Sequence, residues 1–265
     1  YTVNGSLWYD DDYNMFYNPA LVVKHKNFVT FQKGRNGTNG GGEGGLFSEL
    51  GDRFAYGVYV NRGGSAGGFY GGTANLVAPG FDSGSNSSFS GSTNNALSTQ
   101  RAFDVFFGGD TGIKWGGKLT WAYNRNQLIA TQAQDDLEST ARYWHIALGA
   151  EINGIEPFFG ATLFSKVQRN NSNASSAVAE NLDDMNIGVR YKHDVWTPYV
   201  AYRKYRHSGN APGIDELITT SGDTQVQASY NQLALGVGHD TKIFDEVHIL
   251  KNIGIQYTSM SDNVP

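Results

Sequence analysis

The chain has 265 residues, of which 17% are charged and 13% aromatic, and its formal net charge is −5. It contains no cysteine, which excludes disulfides, thiolate metal sites and cysteine nucleophiles. The mildly acidic balance gives no reason to expect a nucleic-acid partner, and a helical membrane span is not predicted because no run of 18 apolar residues occurs.

The first 25 residues differ from the rest of the chain. The acidic run Asp10-Asp11-Asp12 lacks the spacing of a calcium loop and is predicted to be a solvated stretch. We expect segment 1–25, which contains Asn18-Pro19-Ala20, to form a lead-in or a partial plug, and residues 26–265 to form a β domain. The glycine-rich segment 34–45 lacks the Gly-Lys-Ser/Thr ending of a phosphate-binding loop and is predicted to be an ordinary loop.

From residue 54 onwards, apolar and polar residues alternate with a period of two. The clearest examples are 54–60, 113–123, 185–191 and 247–257. This period predicts β-strands with one apolar and one polar face. Only residues 135–140 and 174–181 look compatible with short helices.

Two tight turns predict a register for their hairpins. A turn at Asn153-Gly154 pairs Leu148 with Phe159, Ile146 with Ala161 and Trp144 with Leu163. A turn at His193-Asp194 sorts its strands in the same way, since it pairs Val189 with Pro198 and Ile187 with Val200. A slip of one residue would reverse every face, so clean sorting favours these pairings.

The connections between predicted strands alternate in length. Short ones fall near 109–111, 153–154, 193–194 and 240–245, and long polar ones fall near 78–100, 125–140, 169–183 and 207–226. Short turns at one end and long loops at the other are typical of outer-membrane barrels. The fold prediction is therefore an all-β, antiparallel transmembrane β-barrel of roughly 12 or more strands, with short periplasmic turns and long extracellular loops. The alternative is a soluble, carbohydrate-binding β-sandwich.

The barrel hypothesis assigns a role to each face. Aromatic side chains with one polar atom suit the membrane interface, and the candidates are Trp144, Trp196, Tyr191, Tyr202, Tyr123 and Tyr257. The polar face supplies the candidate pore-lining residues, which are Arg53, Lys114, Lys118, Lys166, Arg190, Lys192, Arg203, Glu151, Glu156, Asp184 and Asp104. Their basic excess predicts a weak anion preference. The alternative is that these charges pair across strands, as Asp184 and Arg203 could, and fill the lumen.

Several stretches resemble known outer-membrane proteins. "DDDYNMFYNPALV", "NFVTFQKG" and "FAYGVYVNR" resemble the start of porin-like proteins from predatory deltaproteobacteria, and "IGVRYKHDVWTPYVAY" resembles hairpins of many Gram-negative barrels. Asn18-Pro19-Ala20 is similar to the N-terminal Asn-Pro-Ala of the long-chain fatty acid transporter family. These resemblances imply a barrel in the bacterial outer membrane, in contact with lipid and assembled as a homo-oligomeric pore. The ending "YTSMSDNVP" predicts another loop, so the closing strands are expected to be absent from the chain.

The predicted function is a porin-like channel for passive diffusion of small polar solutes, with no cofactor, metal or enzymatic activity. His193-Asp194 and His239-Asp240 fall in predicted turns, where Asp is common. No geometry in the sequence supports a triad of His207, Ser208 and Asp215. The alternatives are a structural barrel with a closed lumen and a transporter of hydrophobic substrates, for which Phe158 and Phe164 are the only hints.

Overall fold

A computed structural model describes residues 7, 12–32, 43–60, 102–128, 137–171, 174–210, 225–244 and 247–263. Two short 3-10 helices, Asp12–Phe16 and Pro19–Val23, precede eleven strands. The strands are β1 (Phe28–Gln32), β2 (Glu43–Leu50), β3 (Phe54–Val60), β4 (Ala102–Asp110), β5 (Lys114–Leu128), β6 (Leu137–Glu151), β7 (Ile155–Asn171), β8 (Ala174–Tyr191), β9 (Trp196–Asn210), β10 (Gln225–Phe244) and β11 (Val247–Asn263). Neither described helix has the length and apolar character needed to cross a membrane.

All eleven strands belong to one antiparallel sheet whose spatial order follows the sequence from β1 to β11. The predicted all-β antiparallel class is therefore confirmed. Within the described residues, β1 and β11 are the two edges of the sheet, which is not closed. Strands β5 to β11 are 15 to 20 residues long, well above the usual five or six of globular proteins.

The hairpin between β6 and β7 has the predicted turn. Asn153 and Gly154 both adopt positive φ angles, 51° and 83°, as a type I′ turn requires. The predicted pairing of Leu148 with Phe159 is confirmed, and so is that of Ile146 with Ala161. The predicted partner of Trp144 is wrong: the register shifts between Trp144 and His145, and Trp144 pairs with Phe164.

The hairpin between β8 and β9 turns one residue later than predicted. His193 bridges to Trp196, and Asp194 takes the positive φ angle of 53°. Val189 consequently pairs with Val200 instead of Pro198. The partner moved by two positions, so each side chain kept its predicted face.

The two segments that looked compatible with helices do not form them where the structure describes them. Residues 137–140 open β6 and residues 174–181 open β8. Residues 169–183, predicted as a long loop, belong almost entirely to β7 and β8, with only two residues between these strands. Pairing with neighbouring strands outweighs weak local preference there. The predicted loop at 78–100 lies outside the described residues.

The two faces of the sheet have opposite character. The outer face carries large apolar side chains that are exposed on every strand from β1 to β11, among them Phe31, Leu46, Val60, Val105, Trp121, Leu148, Phe159, Ile187, Val200, Leu235 and Ile253. The inner face buries polar and charged side chains, among them Asp104, Lys118, Glu156, Arg190 and Arg203. In soluble proteins charged residues are almost never fully buried, and large exposed apolar patches mark an interface.

The N-terminal segment, which we define as residues 12–24, covers the inner face of β2 to β7. Phe16 stacks edge-on against Phe106 of β4, and Tyr17 does the same against Phe158 of β7. Leu7 joins the cluster of Tyr17 and reaches Ala201 of β9. Since neighbouring strands lie about 4.8 Å apart, contact with strands this far apart in the sheet requires the sheet to curl around the segment.

Candidate lumen site

The N-terminal segment sits in a cradle formed by inner-face glycines. A Cβ atom on Gly149 would overlap the side chain of Asn18, and one on Gly116 would overlap the backbone of Pro19 and Ala20. Asn18 caps the second 3-10 helix, because its side-chain oxygen accepts a hydrogen bond from the Ala20 amide at 3.2 Å. The sheet therefore receives the Asn18-Pro19-Ala20 turn only because glycines lie beneath it.

Polar contacts fix the segment in this cradle. The Lys118 Nζ atom donates a hydrogen bond of 2.7 Å to the backbone oxygen of Phe16 and lies 5.6 Å from the centre of the Phe16 ring. The Asn18 amide donates to the backbone oxygen of Ala150 at 3.1 Å. Around these contacts the apolar side chains of the segment are buried, each contributing about 1.5–3 kcal/mol.

A charged cluster, which we call the turn-end cluster, lies where β5 to β8 meet the short turns. It consists of Lys24, Lys114, Glu151, Glu156, Arg190 and Lys192. Glu156 and Arg190 are fully buried and form an ion pair. Lys192 lies 3.0 Å from the second oxygen of Glu156. Four cations and two carboxylates leave this cluster with a net charge of +2.

Lys24 ties the N-terminal segment into the turn-end cluster. Its Nζ atom lies 2.6 Å from one Glu151 oxygen and 3.6 Å from Glu156. Lys114 holds the other Glu151 oxygen at 3.0 Å. Two strands and the N-terminal segment thus share one carboxylate.

A second charged group lies further along the inner face. Arg203 of β9 binds Asp184 of β8 through two hydrogen bonds, 2.9 Å from Nε and 2.7 Å from an Nη atom. The backbone partner of Arg203 is Asn186, so this ion pair is diagonal. Asp104 of β4 accepts a hydrogen bond from the Thr120 hydroxyl and is fully buried.

Most of the predicted pore-lining residues lie together on the inner face. Asp104, Lys118, Glu156, Arg190 and Arg203 are buried there, while those that remain partly exposed on the same face are Lys114, Glu151, Asp184 and Lys192. Arg53 is not brought to this face: it lies exposed in the turn between β2 and β3. The side chain of Lys166 lies outside the described residues.

The predicted interface aromatics lie on the outer face. Trp144, Trp196, Tyr191 and Tyr257 are exposed, while Tyr123 and Tyr202 are half-buried. Tyr202 donates its hydroxyl hydrogen to Asn231 at 2.9 Å. None of these six side chains shares a face with the charged clusters.

The sequence predicted a lead-in or partial plug that contains Asn18. It did not predict the residues that receive this segment, Gly116 and Gly149, or the ion pair that Lys24 makes with the sheet. Glycines at inward positions of adjoining strands were the available signal. In the part of the chain that the structure describes, no three acidic or histidine side chains converge as a metal site.

Comparison with protein-family models, with curated proteins and with solved structures finds no match to this chain.

Proposed function

We propose that the chain forms a membrane-embedded β-barrel of the bacterial outer membrane and conducts small polar solutes with a weak preference for anions. The observation that carries this proposal is the inverted sheet, whose apolar side chains are exposed on the outer face while charges are buried on the inner face. In outer-membrane barrels an outward-facing band of apolar side chains is in contact with lipid. Strands β4 to β11 have at least nine residues, and crossing a bilayer takes about 9–11.

The barrel itself is part of the proposal. Because eleven is an odd number and every neighbouring pair is antiparallel, β1 and β11 run in the same direction. A fully antiparallel barrel needs an odd number of further strands between them. This agrees with the expectation of roughly 12 or more strands.

Support for the anion preference comes from the turn-end cluster. Its net charge of +2 would lie at the end of the proposed lumen that is nearest the short turns. Lys24, Lys114 and Lys192 are partly exposed there. Fixed charges act strongly on passing ions where the surrounding walls have a low dielectric constant. No described group suggests an enzymatic reaction, and the proposal includes none.

A closed barrel is the second candidate, and a specific observation favours it. The N-terminal segment fills the inner face of β2 to β7, and several charges on that face are already paired. If the remaining inner face is also filled, then no solute passes and the barrel is structural. Homo-oligomer formation is a further expectation that neither candidate requires.

Single-channel recording on protein extracted with detergent tests the two candidates. If the protein is a channel, we expect discrete current steps in a planar bilayer. In a KCl gradient, the sign of the reversal potential should show that anions are more permeant than cations. A protein that inserts into the bilayer without current steps supports the closed barrel. A protein that stays in solution without detergent contradicts both.

A further inference from the structure

We infer that the inner face carries a binding site for a small, neutral, polyhydroxylated solute, such as a sugar or a polyol. The inference rests on the proposed function only in requiring that solutes reach the inner face. The site, which we call the mid-strand polar site, consists of His145 of β6, Thr162 and Ser165 of β7, Asp184 and Asn186 of β8, and Arg203 of β9.

Two buried polar atoms in this site lack partners. The Ser165 Oγ atom and the Asn186 Oδ1 atom are buried, and neither has a hydrogen-bond partner among the described residues. An unpaired buried polar group costs free energy and is rare in folded proteins. The two atoms lie on different rows of the inner face, since Asn186 pairs with Gly160 and Ser165 pairs with Tyr143. Two hydroxyl groups of one ligand are therefore needed, one that donates to the amide oxygen and one that exchanges a hydrogen bond with the serine.

The backbone around these atoms is irregular in a way that turns polar groups inward. The β6–β7 register shifts between Trp144 and His145, and the β8–β9 register shifts between Glu180 and Leu182. Between them the backbone amide of Asp184 donates to the Thr162 hydroxyl at 3.0 Å. Bulges that re-aim side chains are over-represented beside functional sites.

Gly160 forms the floor where two of the polar groups meet. A Cβ atom at this position would overlap the Asn186 Oδ1 atom and would lie 3.1 Å from the His145 Nε2 atom. An amide and an imidazole thus converge over one glycine. On the next inner row, Tyr143 stacks on the His145 ring at 5.9 Å and is paired in the register with Ser165.

The charges of the site favour a neutral ligand. Asp184 and Arg203 neutralise each other through two hydrogen bonds. Further along the inner face, Lys118 of β5 and Asp104 of β4 add one cation and one carboxylate. Two cations and two carboxylates cancel, so the site offers hydrogen-bonding groups without a net field. Ions are instead expected to interact with the turn-end cluster.

Titration calorimetry on the full chain in detergent, with maltose and xylitol as neutral probes and gluconate as an anionic probe, tests the inference. We expect at least one neutral probe to bind at millimolar concentration. Asn186→Leu and Ser165→Ala should each weaken that binding about five- to ten-fold, the effect of one lost hydrogen bond. Asn252→Leu is the matched control: this asparagine of β11 bonds to Tyr199 outside the site, and its loss should leave binding unchanged.

Three results overturn the inference: no binding of either neutral probe, equal binding by wild type and both site variants, or gluconate binding as tightly as the neutral probes. Bilayer recording distinguishes a failure of the inferred binding site from a failure of the proposed channel. A protein that conducts ions but binds neither maltose nor xylitol refutes the site alone. A protein that binds maltose through Asn186 but never conducts refutes the channel alone.

Discussion

Lys118 and Phe16 are joined by a 2.7 Å hydrogen bond from the lysine ammonium to a backbone oxygen, although 102 positions separate them in the sequence. The lysine is buried on the inner face of β5. A buried ammonium requires hydrogen-bonding partners, so this contact ties the fold of the sheet to the placement of the N-terminal segment.

The first prediction concerns the glycine cradle. Gly149→Val should displace the N-terminal segment, because a Cβ atom there overlaps Asn18. Overpacking costs about 1–3 kcal/mol, which corresponds to about a 5- to 150-fold larger population of the displaced segment. The measurement is the rate at which a cysteine at Ala20, a fully buried position, reacts with a membrane-impermeant maleimide. The chain has no cysteine of its own to interfere.

Gly117→Val is the matched control for this prediction. Gly117 neighbours Gly116 on β5, but a Cβ atom there meets only ordinary contacts, the nearest being a Leu148 methyl group at 3.5 Å. The control should leave the labelling rate unchanged. Equal labelling of Ala20→Cys in both valine variants would show that the cradle does not hold the segment.

The second prediction concerns ion selectivity. Lys192→Gln lowers the net charge of the turn-end cluster from +2 to +1, since Lys192 is one of its four cations. We expect the anion-to-cation permeability ratio to fall about two-fold at low salt. At 1 M salt, where the Debye length is about 3 Å, the difference should nearly vanish. The reversal potential in a KCl gradient measures it.

Arg53→Gln removes the same charge from an exposed turn. The sequence predicts Arg53 as a pore-lining residue, whereas the structure places it outside the inner face. Its loss should leave the reversal potential unaffected, and a shift as large as that of Lys192→Gln would restore Arg53 to the conduction path.

The division of the sheet into two faces could be predicted because a period of two tolerates errors in pairing. The turn at Asp194 moved every partner in the β8–β9 hairpin by two positions, yet Ile187 and Val200 kept their predicted face. The register shift between Trp144 and His145 could not be predicted from the sequence. It depends on how β6 and β7 meet their other neighbours, which no local pattern records.

The position of the N-terminal segment on the inner face could not be predicted from the sequence, for a related reason. Asn18 and Ala150 are joined across 132 positions. The Asn18-Pro19-Ala20 motif marks the segment, but nothing in the sequence around Ala150 indicates that it is the partner. Long-range contacts of single side chains leave no periodic signal. The glycines beneath the segment do leave one, but only when the strand register is already known.

The third prediction concerns the diagonal ion pair of β8 and β9. Arg203→Met should lower the free energy of unfolding by about 3 kcal/mol, because it leaves the Asp184 carboxylate without its bidentate partner in a mostly buried site. The double variant Arg203→Met/Asp184→Leu should recover most of that loss, since it leaves neither charge uncompensated. Urea titration of the protein in lipid vesicles measures both. If the two substitutions destabilise additively, the pair contributes no coupling.

The fourth prediction tests the orientation of the outer face directly. Of the five tryptophans in the chain, the four that the structure describes, Trp115, Trp121, Trp144 and Trp196, are all exposed on the outer face. Variants that retain one of these four should be quenched strongly by brominated phospholipids and weakly by aqueous acrylamide. Tryptophans near strand ends, such as Trp196, should respond most to bromine near the headgroups, because indole rings favour the interface.

The control for this prediction is a tryptophan on the inner face. Phe106→Trp, in a variant without the other tryptophans, places the reporter at a fully buried position beside Phe16 and Phe47. Brominated lipid should quench the fluorescence of this tryptophan only weakly. If brominated lipid quenches the outer-face tryptophans just as weakly, lipid does not reach their exposed surface and another protein layer covers it. That result would contradict the membrane-embedded barrel.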